Sequence, residues 1–317
     1  MRWGLVTLPV QYSVIALTVI LTKILIQFAH PLVAFCFRYL LSGVVLFIAC
    51  LFVKTKKVAL FWIHPWYVWI GAALRMFLPS VGVYWAAQYV SVAKIVLFGA
   101  FTPFITYLLS YLFLDEKTTY KKFIALSIGF CGMIPIITTK FVGQNLSLAD
   151  LFVISLPEIV ILLSYVSMCV GDLYMKKFTS VEPQASSYAI AAHDSFFGAV
   201  FALPFIFLPS FHVNHTIVNL PSFFKWCMLA ALLNFVGRPL YAWHFKYYSN
   251  TFLYLVGLST PFLAAFFGWI LLGETVGLDF YISALFAVTG SVLFYLEERK
   301  IAVMHFAELD LRNGKKI

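Results

Sequence analysis

Long apolar runs separated by short polar connections dominate the chain. Ten of these runs are long enough to cross the roughly 30 Å hydrocarbon core of a bilayer, which takes a helix of about 20 residues. The connections carry residues that end helices, such as His30-Pro31 and the run from Lys54 to Lys57. The pattern predicts an all-α integral membrane protein with ten transmembrane helices, at 5–27, 33–53, 66–89, 91–114, 123–139, 151–174, 185–208, 223–247, 250–272 and 280–296.

Composition and charge agree with this prediction and add an orientation. Of 317 residues, 62% are apolar and only 11% are charged, too few charges to cover a soluble domain. The formal charge of +9 does not indicate a nucleic-acid partner, because no soluble stretch of domain size presents a basic patch. Cytoplasmic loops usually hold the excess of Lys and Arg. With a cytoplasmic N-terminus, that side receives 15 of the 22 basic residues, namely Arg2, Lys54, Lys56, Lys57, Lys117, Lys121, Lys122, Lys176, Lys177, Lys246, Arg299, Lys300, Arg312, Lys315 and Lys316.

In the same assignment, Lys140 and Lys225 are the basic residues of the opposite loops. We therefore expect an even number of spans, both termini in the cytoplasm, and residence in the cell inner membrane. The segment 298–317 is expected to be a charged cytoplasmic tail, as a short helix or a disordered end.

The chain also repeats itself. Residues 85–132 align with residues 243–290 without a gap, and the unusual matches are Trp85 with Trp243, Thr102-Pro103-Phe104 with Thr260-Pro261-Phe262, and Glu116 with Glu274. Five spans separate the copies, so the second copy crosses the membrane in the opposite sense. We expect two inverted five-helix units, at 1–140 and 141–297, as is typical of secondary transporters that work by alternating access. Pro103 and Pro261 are expected to bend their helices, and Glu116 and Glu274 to serve gating or structure.

Several segments of the chain resemble those of a known protein family. The segments that carry the resemblance are Ala93 to Leu97, Thr102 to Phe104, Phe113 to Glu116, Gly129 to Gly132, Thr260 to Phe262, Leu271 to Glu274, Phe37 to Tyr39 and Leu74-Arg75. They resemble the EamA half-unit of the drug/metabolite transporter superfamily. The resemblance implies a ten-helix bundle whose substrate site lies between two inverted units, and a fold or gating role for Arg38. Members of the superfamily carry amino acids, nucleotide sugars, cofactors and drugs.

Charged residues deep in the spans are the candidates for function, since an ionisable group at the bilayer centre costs about 2.5–3.5 kcal/mol. Arg75, Arg238 and Asp194 are predicted near the midplane, and Glu158 somewhat shallower. Two hypotheses stay open. The four groups pair with one another, or an arginine receives a substrate carboxylate while Asp194 or Glu158 meets a cationic group or a proton. Under the second, Arg75→Ala and Arg238→Ala abolish uptake without loss of folded protein.

Aromatic and polar neighbours extend the predicted site. The repeat puts Trp85 and Trp243 at equivalent depth, and aromatic faces hold organic cations or stack on bases. Tyr241 is predicted beside them, and Asn234 lies one turn before Arg238. Packing against lipid is the alternative explanation for each aromatic residue.

The sequence contains no nucleotide-binding loop, nucleophile elbow or HExxH motif, so neither an enzyme, a cofactor nor a metal site is expected. We predict a secondary active transporter of a small polar metabolite. The more specific resemblance is to exchangers of S-adenosylmethionine for S-adenosylhomocysteine in intracellular bacteria. An amino-acid or drug exporter and a membrane-embedded transferase are the alternatives. The expected partners are the small-molecule substrate and membrane lipid, and a homodimer is compatible with the sequence.

Overall fold

The computed structural model describes residues 2–52, 65–90, 92–114, 116–135, 154–182, 185–213, 216–273 and 277–312. A helix occupies each of the ten predicted spans, and these residues contain no strand. The α-helices are α1 (Arg2–Leu25), α2 (Pro31–Phe52), α3 (Pro65–Ala72), α4 (Leu78–Ala86), α5 (Val92–Ala100), α6 (Thr102–Leu114), α7 (Tyr120–Cys131), α8 (Leu156–Val181), α9 (Ser187–Ala202), α10 (Leu220–His244), α11 (Asn250–Gly257), α12 (Thr260–Leu272) and α13 (Leu278–Arg312).

Helix lengths support a multi-pass membrane protein. Within the described residues, seven helical segments are long and apolar enough to cross a bilayer, namely Val6–Leu25, Pro31–Phe52, Lys94–Leu114, Leu156–Val181, Ser187–Phe207, Leu220–His244 and Asn250–Leu271. The other three predicted spans contain α3 with α4, α7, and α13. Large apolar side chains such as Leu51, Phe52 and Val6 are exposed, as expected of a surface that faces lipid.

Contacts between the connections confirm that the helices alternate in direction. We call the end of the bundle at which α1 begins the near face, and the end at which α1 finishes the far face. At the far face, the Val218 amide donates to the Phe28 carbonyl over 2.8 Å. At the near face, the Lys176 ammonium donates to the carbonyls of Phe245 and Tyr248, each over 2.6 Å. Both sets of contacts join segments that the ten-span prediction puts at one end.

Two of the spans are interrupted by a turn at equivalent positions of the repeat. Span four is broken at Phe101, between α5 and α6, and span nine at Leu258 and Ser259, between α11 and α12. Pro103 and Pro261 are the second residues of the helices that resume, where a missing amide hydrogen costs no helical hydrogen bond. The helices are therefore broken at equivalent positions of the two repeats, next to the prolines that were expected to bend them.

The C-terminal segment differs from the expectation of a separate short helix or disordered end. Helix α13 continues without interruption from Leu278 to Arg312, across the predicted boundary at 297. Its sequence from Ser291 to Arg312 contains no Gly or Pro and is rich in Leu, Glu, Ala and Arg, so no residue there ends the helix.

The helices of the two units are interleaved, so the units do not form two separate bundles. Helix α2 packs on α9, α1 on α10, and α7 on α13, so that each contact joins the first unit to the second. A large cavity along the boundary between the units holds the candidate site.

Candidate functional site

A cavity of about 1020 Å³ lies between the two units. Both units line it, with side chains from the spans that contain α1, α2, the helices of span three, α5, α6, α8, α10, α11 and α12. Its polar and charged lining includes Tyr12, Thr18, Lys23, Tyr39, Arg75, Ser80, Tyr84, Thr102, Tyr165, Asp172, Asn234, Arg238, Tyr241, Tyr254 and Thr260. The volume suits a small organic molecule.

The cavity reaches the far face and is closed towards the near face. At the far end its lining includes Lys23, two residues before the end of α1, and Gly277, just before α13. At the other end the Tyr12 hydroxyl donates to the carbonyl of Leu253. Beyond this contact, the Lys176 contacts with the α10–α11 connection close the near face. The floor of the cavity therefore lies in the near half of the bundle.

Arg75 stands at this floor in an irregular turn of helix. Residues Ala73–Phe77 form a π-helix in which the Leu78 amide donates to the carbonyl of Ala73. Pro79 has no amide hydrogen to offer the carbonyl of Arg75 four residues earlier, which favours the wider turn. The turn occurs where the predicted midplane arginine meets its partners.

Two carboxylates from the second unit hold Arg75. Its Nε donates to Oδ1 of Asp172 over 2.7 Å, and its Nη1 donates to Oδ2 of Asp194 over 2.6 Å. All three side chains are at most 5% exposed. Helices α8 and α9 reach the π-helix closely because they carry glycine there: a Cβ on Gly171 would lie 2.5 Å from Cγ of Arg75, and one on Gly198 would lie 2.5 Å from Cβ of Met76.

Tyrosines complete the shell of Asp172. Tyr241 and Tyr254 donate their hydroxyl groups to its Oδ2, over 2.9 and 2.7 Å. The ring of Tyr241 packs on Phe245, which also lies under the Arg75 guanidinium at 5.4 Å. One guanidinium and two phenols therefore fix Asp172 at the boundary between the units.

Arg238 lies on the cavity wall with a different set of neighbours. It is half-buried, it contacts the sulfur of Met76, and its guanidinium carbon lies 5.0 Å from the ring centre of Tyr39. Among the described residues no carboxylate is within salt-bridge distance of it, in contrast to Arg75. One turn earlier on α10, Asn234 donates to the Ser42 hydroxyl over 2.9 Å and also lines the cavity. Arg238 is thus the arginine that is open to a bound anion.

Arg38 contacts residues of this wall without lining the cavity itself. Its Nη1 donates to the Thr22 hydroxyl and, over 3.5 Å, to the carbonyl of Thr18. Its guanidinium carbon is 4.5 Å from the ring centre of Tyr39, and its side chain does not line the cavity. These contacts agree with the structural role that the resemblance implied.

Several residues predicted for the site lie elsewhere. Glu158 binds the Lys94 ammonium over 2.6 Å and caps the start of α8 at the far face, so it does not pair with either deep arginine. Trp85 packs on Tyr89, with ring centres 5.1 Å apart, near the far end of α4. Trp243 packs on Tyr247 at 4.6 Å, near the near end of α10.

The repeat explains the separation of the two tryptophans. Equivalent positions in inverted units lie at opposite ends of the bundle whenever they are displaced from its centre, so Trp85 and Trp243 do not share a cavity wall. Glu274 lies outside the described residues.

Glu116, which follows the end of α6, belongs to a cluster of charges at the near face. It lies with Glu298, Lys122 and Lys176, and Lys122 is 3.9 Å from a carboxylate oxygen of Glu298. Burial raises the pKa of the Glu116 carboxyl, and Glu298 raises it further, whereas Lys122 and Lys176 lower it. The cluster links the first unit to α8 and α13 at the closed end of the cavity.

Sequence reasoning missed Asp172, which organises the site. The predicted span ended at residue 174, which put Asp172 near the membrane surface beside Lys176 and Lys177. Helix α8 instead runs to Val181 and buries Asp172 to 2% exposure. The available signal was Gly171-Asp172, a small residue followed by a carboxylate within an apolar run.

Comparisons with known proteins match this architecture. The profile of the EamA-like transporter family matches residues 3–138 and 155–296, one match in each predicted unit. A Chlamydia muridarum protein named as an S-adenosylmethionine/S-adenosylhomocysteine transporter is 26% identical over 284 residues, covering 88% of this chain and 87% of its own. A protein with the same name from Chlamydia trachomatis serovar L2 is 27% identical over 281 residues, covering 88% and 84%.

A solved crystal structure supports the fold independently of these relatives. It superposes with a TM-score of 0.71 over 94% of this chain and 96% of its own, at 16% sequence identity. At that identity the likeness concerns the fold alone.

Proposed function

The chain belongs to the EamA-like transporter family, and from this premise we propose that it exchanges S-adenosylmethionine for S-adenosylhomocysteine by alternating access. It is a multi-pass membrane transporter of a small molecule, and the match to a transporter family accords with the expectation that it is not an enzyme. The exchange and its substrate pair are our proposal.

One observation carries the substrate assignment: the cavity has on its wall an arginine that no carboxylate of the described residues pairs with, and a carboxylate on its floor. Arg238 would accept the substrate carboxylate by charge-assisted hydrogen bonds. Tyr39, Tyr84 and Tyr165 supply aromatic faces for the adenine ring. The volume of about 1020 Å³ is at the upper end of small-molecule sites, which fits a nucleoside joined to an amino acid.

This assignment revises the roles expected of the two arginines. Arg75 is engaged by Asp172 and Asp194 and is already neutralised, so we assign it to the scaffold of the site. Arg238 keeps donors for the substrate. The hypothesis that the deep charges pair with one another applies to Arg75 with Asp194, and the hypothesis of substrate recognition applies to Arg238.

Alternating access is supported by the inverted units and by the closure of one end. The described structure has the cavity extended to the far face and closed by Tyr12, Lys176 and their partners. We propose that rocking of one unit against the other about Arg75 reverses this arrangement. From the 15 to 2 division of basic residues, we further propose that the near face is cytoplasmic and that the membrane is a bacterial inner membrane.

Counterflow in proteoliposomes tests the function. Purified protein is reconstituted into vesicles loaded with unlabelled S-adenosylhomocysteine, and uptake of labelled S-adenosylmethionine is followed against protein-free vesicles. We expect uptake that depends on the internal substrate. Arg238→Met is expected to reduce it strongly, and Lys225→Met, which removes a positive charge at the far-face start of α10, to leave it unchanged.

Two outcomes would overturn the proposal. In the first, vesicles loaded with a panel of amino acids or cationic drugs support counterflow while S-adenosylhomocysteine does not, which identifies the exporter alternative. In the second, no substrate is moved although a lipid or protein is modified, which identifies a transferase.

A further inference from the structure

The groups around Asp172 form a chemically distinct part of the cavity. Its carboxylate accepts hydrogen bonds from the hydroxyl groups of Tyr241 and Tyr254, and Tyr12 lines the same floor. With the Arg75 Nε, three donors occupy three of the roughly four lone-pair directions of the carboxylate. A ligand group here meets aromatic faces and a negative charge, with little left to accept a further hydrogen bond.

The local charges do not cancel. Arg75 contributes one positive charge between Asp172 and Asp194, so the three groups together carry one net negative charge. They lie at most 5% exposed, in surroundings where water screens weakly. The nearby Arg238 could balance this charge, but in the proposed function its charge is matched by the carboxylate of the substrate. The floor then attracts the positive groups of the substrate, which are the α-ammonium that both members of the pair carry and the sulfonium that only one of them carries.

The group that best fits these surroundings is an onium ion, a cation without N–H donors. A sulfonium or quaternary ammonium makes no hydrogen bond and is stabilised by a negative field and by aromatic faces within about 6 Å. A primary ammonium would need hydrogen-bond acceptors, and most of the lone pairs of Asp172 already accept hydrogen bonds from Arg75, Tyr241 and Tyr254.

The spacing of the two subsites supports the same ligand. Tyr241 follows Arg238 by three residues on α10, so the two side chains are neighbours on one face, with Cβ atoms about 5–6 Å apart. In an S-alkylated methionine, four bonds of about 1.5 Å join the carboxylate carbon to the sulfur, which gives a reach of about 5 Å. Arg238 also contacts Met76, which follows Arg75 in sequence, and Arg75 binds Asp172, so a carboxylate at Arg238 would direct the sulfur towards the same floor.

We propose that Asp172, with Tyr12, Tyr241 and Tyr254, forms an onium subsite that makes the cavity prefer the sulfonium member of the exchanged pair over the neutral thioether. The proposal rests on the proposed function, which assigns the pair and the role of Arg238. The inference adds Asp172 as the residue that distinguishes the two substrates. The thioether differs from the sulfonium by one methyl group and one positive charge, and Asp172 responds to the charge.

The test is the ratio of inhibition constants of S-adenosylmethionine and S-adenosylhomocysteine, measured as inhibitors of labelled S-adenosylmethionine counterflow. In the unmodified protein we expect the sulfonium to bind at least tenfold more tightly. Asp172→Asn is expected to lower this ratio by about tenfold to hundredfold, because one charge near the ligand is removed. Glu298→Gln removes the same charge at the near face, outside the cavity, and is expected to leave the ratio unchanged.

Two results would overturn the inference. Equal inhibition by both compounds in the unmodified protein is one. A second is an Asp172→Asn protein in which both constants move by the same factor, as a purely structural role predicts.

A further measurement is independent of transport and of that variant. Purified unmodified protein in detergent is heated with S-methylmethionine or with methionine, a sulfonium and thioether pair without adenosine. We expect a larger rise in melting temperature with the sulfonium, and an equal or absent rise contradicts the subsite. If counterflow fails for both adenosyl compounds while the sulfonium still stabilises, the exchange assignment is wrong and the onium subsite stands.

Discussion

Removing Arg75 should damage the fold, whereas removing Arg238 should damage binding. Arg75→Met would leave Asp172 and Asp194 in a site where their side chains are 2% and 5% exposed, without their guanidinium partner. Breaking a buried pair in this way costs about 3–5 kcal/mol. The expectation from sequence, that both arginine variants stay folded, is therefore revised for Arg75.

Restoring the charge balance should recover part of this loss. In Arg75→Met/Asp194→Asn, one buried carboxylate is neutralised, while Asp172 keeps the hydroxyl groups of Tyr241 and Tyr254. We expect a coupling energy of about 2–3 kcal/mol between the two positions in a double-mutant cycle. Arg238→Met serves as the matched control. It loses contacts with Met76 and Tyr39 and is expected to cost about 1 kcal/mol or less.

The assay is unfolding of the purified variants in detergent micelles, followed by tryptophan fluorescence, with size-exclusion profiles and counterflow on the same preparations. The reasoning is refuted if Arg75→Met unfolds within about 1 kcal/mol of the unmodified protein. It is also refuted if Asp194→Asn destabilises the Arg75→Met background by as much as it destabilises the unmodified protein. A folded Arg238→Met protein without counterflow completes the expected pattern.

Three further predictions follow from the geometry. Because S-adenosylmethionine carries one more positive charge than S-adenosylhomocysteine, the free energy of their exchange should change by about 2.3 kcal/mol per 100 mV of membrane potential. Potassium gradients with valinomycin set this potential in vesicles, and an exchange rate that does not depend on the potential would contradict the proposed substrate pair. The pKa of the Glu116 carboxyl is raised in the folded protein, so its contribution to the free energy of unfolding is present at low pH and is lost as pH rises through the raised pKa. The melting temperature of Glu116→Gln should therefore depend less on pH in that range than the melting temperature of the unmodified protein. Gly171→Ala would put a Cβ 2.5 Å from Cγ of Arg75, so we expect lower stability and weaker counterflow, while Gly71→Ala, whose Cβ would meet Cε of Met175 at 3.7 Å outside the cavity lining, serves as the tolerated comparison.

The sequence by itself determined the architecture, because each of its signals is local or periodic. Apolar runs of bilayer length gave ten spans, and every one contains a helix. The Thr-Pro-Phe repeat identified two inverted units, and the family match covers them both. Proline acts on its own helix, so the breaks before Pro103 and Pro261 could be predicted from sequence position. The depth of Arg75 is likewise a prediction that needs only a count of residues along one helix.

Only the tertiary structure decided which charges meet. Asp172, Asp194 and Arg75 come from three spans and converge because Gly171 and Gly198 let their helices approach the π-helix, which counting along the chain does not show. One hypothesis from sequence paired Glu158 with the deep arginines, whereas α8 begins at Leu156 and places Glu158 beside Lys94. Charge balance is a property of neighbours in space, and the neighbours of a transmembrane residue lie on other helices. The sequence therefore located the deep charges, and the packing of the two units placed Arg75 between two carboxylates and left Arg238 on the cavity wall.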